Sequence, residues 1–208
     1  MTDLMISLVV IFLLVIAVIV LQFNKAQKAP MQKIDSLVNI LKKELDAKTK
    51  SLNVPGLVIE KEKSDPLGLE IQVAESNLKF DYNSAVLNPI NKQFLSAIMP
   101  SIVDVLRNHE SDIDFIKVEG YTDQSGGQGM GNILLSQSRA LSVLNYSLQY
   151  VFPTQNDPNR FFLLDKASIS GYGSLQKYLL ATDQQSRRVV IKVRVKSLEL
   201  YSKFKKNE

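Results

Sequence analysis

Hydrophobic and polar residues follow three different patterns along the chain, and the first is an unbroken apolar run. It extends from Leu4 to Leu21, contains Ser7 as its one weakly polar residue and carries no charge. As a helix rising about 1.5 Å per residue it would be about 27 Å long, close to the thickness of a bilayer's hydrocarbon core. The flanking residues have neither the basic start nor the cleavage site of a signal peptide. The run therefore predicts an uncleaved, single N-terminal transmembrane helix over residues 1–23.

The second pattern has helical periodicity and follows the apolar run. In MQKIDSLVNILKKELDAKTKSL, apolar side chains recur every three or four residues, and lysines and acids occupy the opposite side. The apolar positions are Ile34, Leu37, Val38, Leu41 and Leu45. This spacing predicts an amphipathic linker helix within residues 24–56. Such a helix could be a stalk or packing helix, or it could form a dimer seam or a plug on a channel.

In the third pattern, short alternating stretches and helical stretches follow one another from residue 57. LVIEK and LEIQVAE flank the turn residues SDPLG and predict a hairpin, with a further short strand at LKFDY. The later segments DIDFIKVEGYTD, KASISGYG and RRVVIKVRVK also alternate as strands do.

Two long stretches between these strands have the spacing of helices. PINKQFLSAIMPSIVDVLRNH begins with a proline and should kink or split at Pro100, and NILLSQSRALSVLNYSLQYV forms the next helix. FPTQNDPNRFF predicts a polar loop, and LQKYLLATDQQ a short segment before the last strand. The order of elements predicts an α+β fold, with helices packed over one mixed sheet in residues 57–198. A basic tail, residues 199–208, follows.

The composition excludes several kinds of site. The chain has no cysteine and one histidine, His109, which rules out disulfides, thiolate metal sites and two-histidine metal sites. Its net charge of +4 comes from scattered lysines rather than from a basic helix with interleaved aromatics, so no nucleic acid partner is expected. A hydrolase could use acids such as Asp81, Asp112 and Asp114, but neighbouring acids are usually solvated. We therefore expect no catalytic residues, no metal and no cofactor.

The stretch EGYTDQSGGQGMGNILLSQSRA contains the candidate binding residues. Asp123 follows a predicted strand, Asn132 could cap or precede the next helix, and Arg139 lies about two turns inside that helix. A carboxylate binds an ammonium group and a guanidinium grips a carboxylate through two parallel hydrogen bonds, so this pair could form a receptor for a zwitterion. The two side chains could equally pair with each other or cap the helix. The glycines do not form a phosphate-binding loop, because no Lys-Ser or Lys-Thr follows them.

Several ordered motifs resemble the OmpA-like peptidoglycan-binding domain. GYTDQSG, NILLSQSRALSV, GYG and SRRVVIKV match its pattern in order, and FDYNSAVLNP is similar to the segment before its first long helix. The resemblance covers about residues 78–196 and implies that the pocket binds the diaminopimelate of a peptidoglycan peptide stem. The binding residues that it implies are Asp123 and Arg139, with Thr122, Asn132 and Arg188 as weaker candidates. The glycine loop and the connection FPTQNDPNRFFLLDK are longer than the common pattern.

Asp3 lies directly before the apolar run, where an acid can have two roles. It could be an incidental cap that the helix dipole favours. A carboxylate beside hydrocarbon is also costly unless it faces a partner or a water path, and such residues often mark ion pathways. TDLMISLVVIFLLVIAVIV resembles the membrane helix of MotB-type stator subunits, which also carry an OmpA-like domain. The resemblance implies that Asp3 takes up a proton or a sodium ion, in a homodimer surrounded by multi-span MotA-like or ZorA-like membrane subunits.

Together these resemblances predict a subunit of an ion-driven motor that is anchored to peptidoglycan. Its expected location is the bacterial inner membrane, with the C-terminal domain in the periplasm. Lysines after the span would place that domain in the cytoplasm by the positive-inside rule, but a peptidoglycan receptor has no ligand there. The short leader and the TDQSG loop resemble the ZorB family of Zorya anti-phage systems more than flagellar subunits. A flagellar stator subunit and a passive tether between membrane and peptidoglycan are the alternatives.

Overall fold

The computed structural model describes residues 2–52, 56–73, 77–123, 129–174 and 187–197. Within the first helix, the side chains of residues 2–5, 7 and 23–33 are outside the description. The elements in chain order are α1 (Thr2–Ser51), β1 (Leu57–Lys61), β2 (Gly68–Val73), α2 (Pro89–Asn108), β3 (Ile113–Gly120), α3 (Met130–Tyr146), a π-helical turn (Ser147–Val151), α4 (Pro158–Lys166), β4 (Ala167–Gly171) and β5 (Val189–Val195). The predicted segment LQKYLLATDQQ and the basic tail lie outside the described residues.

The five strands form one mixed sheet in the order β1-β2-β5-β3-β4. β1 and β2 form the predicted antiparallel hairpin, in which Leu57 lies opposite Val73. Its turn is held by Asp65, whose carboxylate accepts from the backbone N–H of Leu67 at 2.9 Å. β5 is antiparallel to both of its neighbours, and β3 and β4 are parallel. The prediction of an α+β fold with one mixed sheet is confirmed.

The helices cover one face of this sheet because apolar residues occupy every second position of its central strands. The side chains that this face buries include Leu69, Ile71, Ile116, Val118, Ile191 and Val193. α2 contributes the predicted apolar face, with Ile98, Ile102, Val105 and Leu106 all buried. Asn88 caps α2, since its side chain accepts from the N–H of Asn91 at 2.8 Å. One hydrophobic core results, and the charged residues of β3 and β5 lie on the opposite face of the sheet.

The C-terminal half of α1 packs against this domain. Four of the five predicted apolar positions, Ile34, Val38, Leu41 and Leu45, are buried in the core, and the fifth, Leu37, packs against it. Polar contacts with the rest of the domain flank this face. The Lys42 ammonium donates to the backbone carbonyl of Ile59, and His109 Nε2 lies 3.0 Å from a carboxylate oxygen of Glu44. The amphipathic segment therefore has the contacts expected of a packing helix.

The N-terminal part of α1 contains the apolar run. Its described large apolar side chains, between Ile6 and Leu21, are 41–66% exposed. Asp3 lies outside the described side chains. Within the part of the chain that the structure describes, no helix combines the length and the apolar character that crossing a membrane requires.

Three predicted elements differ from the structure. LKFDY is not a strand: Phe80 is buried, but the carbonyl of Lys79 accepts from the side-chain amide of Asn91 at 2.8 Å instead of joining a ladder. α2 does not split at Pro100. Its buried face continues on both sides of the proline, and this packing stabilises the helix against the lost backbone hydrogen bond.

The third difference concerns FPTQNDPNRFF, which is a loop only in its first part. α4 begins at Pro158, directly after Asp157, whose carboxylate caps the helix by accepting from the N–H of Asn159 at 2.8 Å. An acid followed by a proline is a frequent helix start, because the acid satisfies a free N–H group and proline has none to satisfy.

α3 lies directly on the ends of β3 and β4. A Cβ atom at Gly120 would be 1.8 Å from the backbone oxygen of Ser136, and one at Gly171 would be 2.4 Å from that of Ile133. The two glycines face each other across the parallel pair. Their lack of side chains lets the helix approach the strands closely. The first turns of α3 are thereby fixed beside the loops that leave both strands.

Candidate functional site

One pocket, of about 120 Å³, opens where these elements meet. Its walls come from the loop after β3, the first turns of α3, the segment before α2, and Arg187, which lies just before β5. Four of the predicted binding residues, Thr122, Asp123, Asn132 and Arg139, line it. The chain thus brings a carboxylate, a guanidinium, a hydroxyl and an amide to one cavity.

Arg139 is held beneath the pocket by backbone carbonyls, and it is only 1% exposed. Its Nε donates to the carbonyl of Ser84 at 2.9 Å, its Nη1 to that of Tyr121 at 3.4 Å and its Nη2 to that of Asp81 at 3.2 Å. Since a guanidinium has five N–H donors, these contacts leave donors for a partner in the cavity.

The guanidinium of Arg139 keeps its positive charge although it is buried. Burial lowers the pKa of the guanidinium to about 10, the carboxylate of Asp123 acts in the opposite direction, and Arg187 adds to the lowering. The group is therefore still protonated at neutral pH. The ring of Phe80, whose centroid is 5.3 Å from the guanidinium carbon, also favours the cation.

Asp123 is 5% exposed and faces a second arginine. Its Oδ2 lies 3.2 Å from Nε of Arg187. Asn132 holds the surrounding chain, since its side-chain amide donates to the backbone carbonyl of Asp123 at 3.3 Å and to the hydroxyl of Ser174 at 3.2 Å. Asn132 does not cap α3, because it lies inside the helix and Gly129 occupies the cap position.

The hydroxyl of Thr122 has no hydrogen-bond partner among the residues that the structure describes, although the side chain is only 2% exposed. Its backbone N–H donates to the carbonyl of Gly173 at 2.9 Å, which fixes the loop after β3 to the loop after β4. A buried polar group without a partner is unfavourable by about 1–3 kcal/mol. A ligand in this pocket could satisfy the hydroxyl.

Arg188, the fifth predicted residue, does not line the pocket. Its guanidinium carbon lies 4.5 Å from the centroid of the Tyr121 ring, which stacks on Tyr172 at 5.4 Å. Both tyrosine hydroxyls donate to the buried carboxylate of Glu119, at 2.6 and 3.1 Å. Burial and this hydrogen bond raise the pKa of Tyr121 above its usual range. Arg188 thus belongs to a partly buried cluster that supports the two loops.

Sequence reasoning missed Arg187, together with Tyr82 and Asn83, as residues of the pocket. A usable signal for Arg187 was present in the alternation of β5. Because side chains alternate along a strand, Arg187 has the same parity as the core residues Val189 and Ile191, and α3 and the pocket lie on that side. Arg188 has the opposite parity. Tyr82 and Asn83 follow the irregular LKFDY segment, and no periodicity marked them.

A mixed sheet with helices on one face and an acid and an arginine in one pocket defines an α+β binding domain. Its sequence matches the family model described as OmpA family over residues 79–191. Since this match covers more than half of the chain, the protein belongs to the OmpA family, and the predicted family is confirmed.

Two further comparisons describe its relatives. The chain is 30% identical over 141 residues to the Zorya protein ZorB of Escherichia coli, and the alignment covers 62% of this chain and 58% of that relative. The chain thus spans less than two thirds of the relative's length.

The fold is similar to solved structures of MotB periplasmic domains. One such domain gives a TM-score of 0.51 at 19% identity, covering 72% of this chain and 74% of that chain. The periplasmic domain of Helicobacter pylori MotB gives a TM-score of 0.50 at 21% identity, covering 73% and 86%. At this level of identity the likeness shows a common fold.

Proposed function

We propose that this protein binds peptidoglycan, with the diaminopimelate of a peptide stem held in the pocket of Asp123 and Arg139. The observation that carries the proposal is the presence of a buried carboxylate and a buried guanidinium in one cavity. Diaminopimelate presents an ammonium group and carboxylates. Asp123 would accept hydrogen bonds from the ammonium, and the remaining donors of Arg139 would hold a carboxylate.

The pocket is suited to this ligand because its charged groups are already ordered. Three carbonyls fix the guanidinium of Arg139, so little side-chain entropy is lost when a ligand binds. Both charges are shielded from water by protein, where an ion pair with a ligand is stronger than in bulk solvent. The hydroxyl of Thr122 would gain a partner, and Asn132 would keep the loop of Asp123 in place.

Replacing Asp123 by asparagine tests this proposal. We expect retention on purified sacculi to fall by about tenfold to a hundredfold, because a hydrogen bond to a charged group contributes about 1.5–3 kcal/mol. A sedimentation assay over a range of sacculus concentrations measures the change. Asp104→Asn is the matched control, since it removes the same charge from a partly exposed position on α2 that pairs with Arg107. Equal retention of Asp123→Asn and the control would refute the proposed site.

We propose further that the protein is the peptidoglycan-anchored subunit of an ion-driven motor in the bacterial inner membrane. Residues 1–23 would form the transmembrane anchor, 24–56 the linker and 57–198 the periplasmic binding domain. The apolar run and Asp3 in the sequence support an ion-driven motor, and the similarity to ZorB supports a Zorya-type complex. The working unit would be a homodimer with a multi-span MotA-like or ZorA-like partner, and its role would not be enzymatic.

Replacing Asp3 by asparagine separates a motor from a passive tether. If the carboxylate carries a proton or a sodium ion, the neutral amide cannot take part in the binding cycle, and ion flux through the assembled complex should fall to background. Flux into vesicles that contain the complex is the measurement. Asp3→Glu retains a carboxylate and should retain part of the flux. Unchanged function in a correctly assembled Asp3→Asn complex would refute the ion-carrying role of Asp3. Function without any flux, in the variant and the unmodified complex alike, would favour the tether, in which Asp3 is only a cap.

A further inference from the structure

Arg187 gives the pocket a second guanidinium group. It lines the same cavity as Asp123 and Arg139, and its side chain is largely buried. Its Nε lies 3.2 Å from Oδ2 of Asp123 but makes no aligned hydrogen bond among the described residues. The two groups therefore attract each other as charges, and the N–H of Arg187 is not committed to the carboxylate.

The charges of the described pocket residues do not balance. Two guanidinium groups face one carboxylate, which leaves a formal charge of +1. A ligand end with one ammonium and one carboxylate is neutral and would leave this excess positive charge in place. Since uncompensated charge is costly where water is excluded, the pocket is best complemented by a ligand end with one ammonium and two carboxylates.

We infer that Arg187 is a third charged binding residue, and that it selects a peptide stem in which both carboxylates of diaminopimelate are free. This inference rests on the proposed function. In such a stem the carboxylate beside the ammonium would bind Arg139, and the ammonium would bind Asp123. The main-chain carboxylate, which is free only when diaminopimelate ends the stem, would bind Arg187. Stems that continue beyond diaminopimelate have an amide at this position and would bind more weakly.

Three synthetic peptides test the inference and the proposed function separately. The first is a tripeptide that ends in diaminopimelate with both carboxylates free. The second has its main-chain carboxylate amidated, and the third has the carboxylate beside the free ammonium amidated. Calorimetric titration of the full 208-residue chain in detergent gives the affinity for each peptide.

We expect the first peptide to bind about tenfold more tightly than the second or better, because the amide removes a charge-assisted contact with Arg187. The third peptide should bind weakly, since it removes the contact with Arg139. Equal affinity for the first and second peptides would overturn the inference but leave the proposed function intact. If the first and third peptides bind equally, or none of the three binds, the proposed function itself fails.

Variants of Arg187 complete the test. In Arg187→Gln the preference for the first peptide over the second should disappear, and in Arg187→Lys part of it should remain, because lysine keeps the charge without the planar fork. Arg107→Gln is the control, since it removes the same charge at the end of α2, where Arg107 contacts Asn159. An unchanged preference in Arg187→Gln would overturn the inference. Thermal unfolding of each variant shows that the comparison is made between folded proteins.

Discussion

Replacing Arg139 by alanine should abolish retention on sacculi and should also lower the free energy of unfolding by about 3–5 kcal/mol. The guanidinium connects α3 to two other parts of the chain, the turn that contains Asp81 and Ser84 and the loop that begins at Tyr121. Alanine leaves these acceptors without their donor and opens a cavity beneath the pocket. The ligand carboxylate loses its partner at the same time. Denaturant unfolding and sacculus sedimentation measure the two effects.

A half-buried arginine provides the control that separates stability from binding. Arg160 donates to the backbone carbonyls of Leu148 and Phe152, and none of these residues lines the pocket. Arg160→Ala should therefore lower stability by a similar mechanism while the folded fraction still binds sacculi. If Arg139→Ala retained binding in proportion to its folded fraction, as this control should, Arg139 would be a structural residue and not a ligand of the cell wall.

Replacing Gly120 by alanine should lower the free energy of unfolding by about 3 kcal/mol or more, the upper range for an overpacked core. The added Cβ would lie 1.8 Å from the backbone oxygen of Ser136, so α3 must move away from β3. No flexible side chain can move to absorb this contact, because the atoms that the new Cβ would meet belong to the backbone of Ser136. Since α3 carries Arg139 and β3 leads into Asp123, we expect binding to be lost as well. Denaturant unfolding measures the change in stability.

Gly131→Ala is the matched control for this substitution. Gly131 lies in the first turn of α3, and a Cβ there meets no atom of the described chain within 4 Å. Alanine should leave stability unchanged or raise it by about 0.5–1 kcal/mol, because glycine is the poorer helix former. Equal stability of the two variants would mean that the strand and the helix are not fixed at this distance. The comparison concerns unfolding alone, since Gly131 also lines the pocket.

Much of the fold could be predicted because burial imposes a period on the sequence. The alternation in β2, β3 and β5 and the helical spacing in α2 and α3 each reflect one buried face, and the structure has these elements. The period predicts the wrong element where side chains are buried as in a strand but the backbone is not hydrogen-bonded to a neighbouring strand. In LKFDY, Phe80 is buried as in a strand, but the carbonyl of Lys79 is satisfied by a side chain of α2. α4 was missed because its polar capping residues resemble those of a loop.

The family, the mixed sheet with its covering helices, and four residues that line the pocket could all be predicted from patterns and motifs along the chain. Two contacts needed the folded chain: the approach of Arg187 to Asp123, at 3.2 Å, and the bonds by which Arg139 links α3 to the turn of Asp81 and Ser84 and to Tyr121. Motifs indicate which side chains the site contains. The contacts between those side chains depend on how the strands pair, which the motifs do not give. β5 meets β3 with Val189 opposite Gly120, and this register brings the residues before β5 beside the loop that holds Asp123.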